Sequence, residues 1–208
     1  MIRINVASMI SLATLHLTME QVEPEDSVDL ILAELISAIS LAIFLVISLV
    51  ADETIRQVAK NFGGVEHRIE LVRIKDGVRF YNDSIASSPS RTIAGLRSFS
   101  EKVLLIAGGY DKHIPYDVLG PEICKHVKHV FLCGATAPQI RAAVENCADF
   151  RNQVELTDCG NFENAVRTAA AAAEEGDIVL MSPASASFDE FKNFMVRGEC
   201  FKKIVKEL

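Results

Sequence analysis

Leu180-Met181-Ser182-Pro183-Ala184-Ser185-Ala186-Ser187-Phe188-Asp189-Glu190-Phe191-Lys192-Asn193-Phe194 carries the densest signal in the chain. The apolar run over 178–181 predicts a short strand, which passes into a loop of small and hydroxyl residues. Ser187 and Glu190 have the spacing of a capping box, with Ser187 at N-cap and Glu190 at N3, and so predict a helix beginning there. Phe191, Phe194, Phe201 and Ile204 recur at helical spacing on one face of that helix. The unpaired N–H groups and partial positive charge of a helix N-terminus suit a carboxylate or phosphate. A capped helix without a ligand satisfies the same pattern, and spacing leaves the two readings level.

Working outward, strand and helix patterns alternate. Residues 69–74 and 78–81 alternate around Asp76-Gly77, a hairpin signal. Ser88-Pro89 opens a helix, Ser at N-cap and Pro at N1, and 103–107 reads as a buried strand ending in Gly108-Gly109. Further helices are expected near 52–62, 116–126, 137–147 and 163–174, with strands near 129–133 and 153–156. This order predicts an α/β fold: a Rossmann-like, mostly parallel sheet with helices on both faces. Ligands of such sheets gather beyond the carboxyl ends of the strands. Three loops fall there: 82–88, 108–113 and 182–187.

Residues 1–51 differ in character. They are aliphatic and contain no glycine, and they predict an apolar, helical N-terminal segment interrupted by Glu20, Glu23, Pro24, Glu25 and Asp26. Leu35 to Ala51 is 17 residues without a charge, just under a membrane span, but it lacks the basic flank of an anchor. It also lies too far from Met1 for a signal peptide. A buried or partner-packed helix is the preferred reading, with self-association through residues 30–51 as one consequence of exposing it.

The 208 residues are 50% hydrophobic and 24% charged, enough for a sizeable core. A net charge of −7 and the lack of any basic run argue against nucleic acid as a partner. Five cysteines with no CxxC spacing, and no secretory signal, predict reduced thiols in a cytoplasmic protein and no metal site.

Each loop offers chemistry beside a plain structural role. Asp83 can accept sugar hydroxyls or orient a cation-bound water, and Ser87 and Ser88 supply hydroxyls, yet Asp83 and Ser88 also suit simple strand and helix termination. Gly108-Gly109 permits close backbone approach and Lys112 offers a point charge, whereas a solvated turn reads the same. Arg68 can fork onto phosphate oxygens or sit in solvent at a strand edge. Neither GxxxxGK[ST] nor GxGxxG occurs in these residues, so neither a P-loop nor a dinucleotide fingerprint is present.

Four pieces in order resemble one family: Gly64-Val65-Glu66-His67-Arg68-Ile69-Glu70, Tyr81-Asn82-Asp83-Ser84, Gly108-Gly109-Tyr110-Asp111-Lys112, and Ser182 to Asp189 continued by Phe191-Lys192-Asn193-Phe194 and Arg197-Gly198. Together they resemble the C-terminal, amino-acid-binding domain of the Mur ligases, in the form that adds D-glutamate. The resemblance covers about 52–208. It implies an ATP- and Mg²⁺-dependent ligase of peptidoglycan synthesis, which phosphorylates the carboxylate of UDP-N-acetylmuramoyl-L-alanine and joins it to the amine of D-glutamate. It also implies that Lys112, Ser187, Phe188 and Phe194 line the D-glutamate site, with Ser87 where the family often has threonine. Arg68 and Asp83 would face ATP, on its phosphates and its ribose side. Ile85 stands where the family commonly has lysine, so this loop lacks that charge. The residues implied to hold the main ATP and Mg²⁺ site belong to a central domain not recognisable here. A truncated ligase, inactive alone and with no catalytic residue of its own, is therefore expected. The alternative is a non-catalytic binding or dimerisation module on the same fold.

Overall fold

Asp76 and Gly77 both take positive φ, 50° and 77°, as a two-residue hairpin turn with right-twisted strands requires. They join β1 (Glu70–Lys75) to β2 (Val78–Asn82) in antiparallel register, Lys75 opposite Val78. The remaining strands are β3 (Val103–Gly108), β4 (Val127–Cys133), β5 (Glu155–Asp158) and β6 (Ile178–Met181). The sheet order is β1-β2-β6-β3-β4-β5, and every pairing beyond the first hairpin is parallel. The computed structural model describes residues 52–147 and 154–208.

Helices α1 (Asp52–Asn61), α2 (Pro89–Leu96), α3 (Leu119–His126), α4 (Ala137–Glu145), α5 (Phe162–Ala172) and α6 (Phe194–Glu207) complete the described chain. β3 is buried along its whole length, because period-two alternation feeds two cores. Leu105, Val130, Leu132 and Leu180 pack with Leu96, Leu119, Ile123 and Ile140 on one face. Leu104, Ile106, Phe131 and Val179 pack with Phe162, Val166, Phe201 and Ile204 on the other. Full burial of each such side chain contributes about 1.5–3 kcal/mol. Helices therefore cover both faces, as the alternating pattern predicts.

The chain falls into two compact units, Met1–Phe62 and Gly63–Leu208, and the sheet lies wholly in the second. The apolar segment expected over 1–51, with its self-association through 30–51, lies outside the described residues. Among the described residues no helix is long and apolar enough to cross a membrane.

One local expectation is overturned. The final helix starts at Phe194, not after Ser187, and its N-cap is Asn193, whose side chain accepts the Val196 N–H. Ser187 to Glu190 forms an isolated turn, in which the Ser187 carbonyl accepts the N–H groups of Glu190 and Phe191. Glu190 does not reach back to close a box; its carboxylate accepts the Phe162 N–H at the start of α5, 3.1 Å away. Tertiary capping of a different helix has outcompeted the local motif. The helix-terminus argument for an anion at Ser187 is removed with it.

Candidate functional site

β2, β6 and β3 are consecutive in the sheet and parallel, so the loops that follow them leave the same edge side by side. The three loops singled out in sequence are thus neighbours in space.

In the loop after β2, buried Asn82 organises the turn. Its Oδ1 accepts the Ser84 N–H at 3.1 Å, and its Nδ2 lies 2.9 Å from His67 Nδ1 and 3.0 Å from Glu70 Oε2. Asp83 is buried, with Oδ2 accepting the Ser182 hydroxyl at 2.7 Å and Oδ1 accepting the Ile69 N–H at 3.3 Å. Burial pushes its carboxyl up to about 6, against the opposing pull of the Ser182 hydroxyl, the Ile69 N–H, Arg68 and Arg91. Arg68, Asp83, Ile85, Arg91, Gly95 and Ser98 contribute to the wall of a cavity of about 340 Å³. Arg68 and Asp83, paired in sequence reasoning, therefore share one cavity, and Arg91 joins them. Only the fold reveals Arg91, since α2 alone carries it to this wall.

The loop after β6 is tied to its neighbours from both sides. Its Ala184 holds a left-handed φ of 57°, and Pro183 accepts the Gly108 N–H at 2.8 Å. Arg197, buried on α6, donates from Nη1 to the carbonyls of Ser185 and Ala186 at 3.1 and 3.0 Å and from Nη2 to the Ser84 carbonyl at 3.0 Å. Burial holds its guanidinium down to about 10. In sequence Arg197 stands only as part of the Arg197-Gly198 pair, and a buried arginine facing backbone carbonyls is not legible from spacing.

Gly108, the last residue of β3, and Gly109, the first of the loop after it, take φ of 120° and 144°. A Cβ on Gly108 would lie 1.9 Å from the Cys133 carbonyl oxygen, and one on Gly109 would lie 2.3 Å from that of Ala186. The paired glycines thus serve close backbone approach. The Tyr110 N–H donates to the Ala186 carbonyl at 2.9 Å, which ties this loop to the one carrying Ser187.

The expected site residues sit as follows. Lys112 is exposed, Ser87 partly buried and Ser187 buried. Phe188 is exposed, its ring edge-on to Tyr110 at 5.9 Å. Phe194, at the first turn of α6, packs edge-on against His67 at 6.0 Å while its carbonyl accepts the Ser84 hydroxyl at 2.7 Å.

Cys124 and Cys133 are buried, and Cys147, Cys159 and Cys200 are partly exposed. Burial pushes the Cys133 thiol up to about 12, which makes it a poor nucleophile. Glu66, His67 and Glu199 bring potential ligand atoms within 4.8 Å of one another. Lys202 already answers that charge, with Nζ 2.5 Å from Glu66, 2.8 Å from Glu199 and 3.3 Å from Glu70.

Residues 67–185 match the family model described as Mur ligase, glutamate ligase domain. The chain is 55% identical over 166 residues to a UDP-N-acetylmuramoylalanine--D-glutamate ligase of Acetivibrio thermocellus, covering 78% of this chain and 36% of that protein. A protein of the same name from Ruminiclostridium cellulolyticum is 52% identical over 165 residues, with the same coverage of 78% and 36%. The chain thus spans about a third of the length of the curated relatives it matches. Among solved structures, a bifunctional folylpolyglutamate synthase/dihydrofolate synthase from Yersinia pestis superposes with a TM-score of 0.51 at 17% identity, covering 75% of this chain and 35% of that one. At that identity the likeness speaks to the fold.

Proposed function

Because the chain belongs to the Mur ligase family through its glutamate ligase domain, we propose that residues 52–208 are the amino-acid-binding part of an ATP-dependent ligase joining D-glutamate to UDP-N-acetylmuramoyl-L-alanine in cytoplasmic peptidoglycan synthesis. The observation that supports the reading is that Ser87, Lys112 and Ser187 belong to loops that follow three consecutive parallel strands, in a chain so similar to ligases of that name.

In this reading the Lys112 ammonium pairs with a carboxylate of D-glutamate. Ser87 and Ser187 supply hydroxyl donors, and Phe188 and Phe194 bound the aliphatic part of the amino acid. The donor set of the cavity suits part of a nucleotide: Arg68 offers a cation for a phosphate, and Asp83 offers an acceptor for a sugar hydroxyl. ATP supplies the phosphoryl group that activates the acceptor carboxylate, and Mg²⁺ offsets phosphate charge. No described residue is assigned to the metal. These 208 residues contain no P-loop lysine, so ligation would require the further length that such ligases have.

Ligand-observed NMR on the 208-residue chain tests the reading, with D-glutamate and ATP titrated separately. Wild type is expected to bind D-glutamate weakly, with at least a roughly tenfold loss in Lys112→Ala, since one charge-assisted contact is worth about 1.5–3 kcal/mol. Arg68→Ala is expected to weaken ATP alone. Equal binding of D-glutamate by the Lys112 variant sinks that assignment, and a wild-type chain blind to D-glutamate sinks the reading. Robust ADP release by this chain with all substrates would overturn the need for further length.

A further inference from the structure

Thr136 occupies the N-cap of α4, a position where a threonine hydroxyl ordinarily accepts a helix N–H, yet its side chain makes no capping bond. Its Oγ1 lies instead 2.7 Å from Ser185 Oγ. Its backbone N–H donates to the Gly109 carbonyl at 3.0 Å. Ser185 Oγ is in turn 2.8 Å from the Tyr116 hydroxyl, and all three hydroxyls belong to buried residues. One residue from the loop after β4 thus bonds, through its backbone to the loop after β3, the adjacent strand, and through its side chain to the loop after β6, one strand further along the sheet. Gly109 lies three residues before Lys112, and Ser185 two before Ser187.

Ala184, next to Ser185, holds a left-handed φ of 57°. An alanine keeps that conformation only where its surroundings over-determine it. The hydroxyl chain Thr136–Ser185–Tyr116 and the Arg197 contacts to Ser185 and Ala186 supply that constraint. The diverted cap is accounted for by the same bond: the helix forgoes a local acceptor so that the Ser185 loop gains an anchor.

We propose that Thr136, supported by Tyr116, is a positioning residue that sets Lys112 and Ser187 relative to each other for D-glutamate, an inference that rests on the function proposed above. Neither Thr136 nor Tyr116 touches the amino acid in this account. Their role is to hold two substrate-facing loops in one register.

The test uses the full 208-residue chain. Thr136→Val keeps the β-branched shape and the backbone N–H but deletes the hydroxyl, and Thr136→Ser keeps the hydroxyl. The valine variant is expected to bind D-glutamate about tenfold more weakly, the loss of one buried hydrogen-bond partner, while the serine variant stays near wild type. Tyr116→Phe, which removes only the far end of the chain of hydroxyls, gives a smaller loss and serves if the valine variant does not fold. Thermal unfolding accompanies each titration, since a purely structural residue would lower the Tm and leave affinity unchanged. Wild-type affinity in a folded valine or phenylalanine variant overturns the proposal.

Amide hydrogen exchange provides a readout without ligand. Faster exchange at Tyr110 in Thr136→Val but not Thr136→Ser, with the β1–β2 hairpin unaffected, supports the coupling of the two loops. Unchanged exchange, or acceleration spread over the whole sheet, overturns it. Should wild type fail to bind D-glutamate, the proposed function falls, and this exchange pattern alone decides whether Thr136 couples the loops.

Discussion

Arg197 donates from Nε to Ser84 Oγ across 3.1 Å, joining the last helix to the loop after β2. The same guanidinium reaches the carbonyls of Ser84, Ser185 and Ala186, so one buried side chain binds two loops of the site. Replacing it with methionine keeps much of the volume but strips the Ser84 and Ser185 carbonyls of their Arg197 donors, while Ala186 keeps the Tyr110 N–H.

Arg197→Met is expected to cost about 3 kcal/mol of stability, in the range for stripping partners from several buried polar groups. Arg197→Lys should recover only part of this, because an ammonium cannot serve the same fork of acceptors. Urea denaturation monitored by circular dichroism measures both. A methionine variant as stable as wild type would show that these bonds are replaceable.

Asp83 makes stability depend on pH in a direction opposite to an aspartate paired with a cation, whose carboxyl is held down rather than up. Burial raises its carboxyl from 3.8 to about 6, so the folded state holds the proton more tightly than the unfolded chain. The resulting stabilisation is full below the unfolded value and is lost as pH rises through about 6. Relative to Asp83→Asn, wild type is expected to lose about 1–3 kcal/mol between about pH 4 and about pH 7, at 1.36 kcal/mol per pK unit. Denaturation curves for the two proteins across that window check it, and parallel pH profiles would contradict the burial argument.

Gly198 faces the ring of His67, where an added Cβ would stand 2.3 Å from Nδ1. The ring cannot easily retreat, because that nitrogen lies 2.9 Å from Asn82 Nδ2 and the ring packs on Phe194. Gly198→Ala, ordinarily favourable inside a helix, is here expected to destabilise by about 1–3 kcal/mol through overpacking. A Tm at or above wild type would mean that His67 swings clear.

Glu190 serves α5 rather than its own segment. Its carboxylate takes the Phe162 N–H, while Asn161 takes that of Asn164, so two open donors of that helix are satisfied. Glu190→Ala is expected to cost about 1 kcal/mol, the usual value of a lost cap. The exchange rate of the Phe162 amide should rise in that variant. If it does not, the carboxylate contributes no protection.

The order of strands and helices, the Asp76-Gly77 hairpin and the Pro89 start of α2 are all legible along the chain, because each depends on residues within a few positions of one another. So is the neighbourhood of the three loops, since a parallel sheet sends its strand ends to one edge. The start of α6 is not. Ser187 and Glu190 satisfy a local rule, but the Glu190 carboxylate finds the Phe162 N–H, 28 residues earlier in the chain, and Asn193 takes over the cap. Folding likewise decides that Arg91 faces the Asp83 cavity, that Arg197 clamps backbone carbonyls and that Thr136 turns away from its own helix. Arg197 and Thr136 are buried, and a polar group removed from water takes whichever partner the packing brings within reach; Glu190 and Arg91 stay exposed but reach positions that only the packed fold sets beside them.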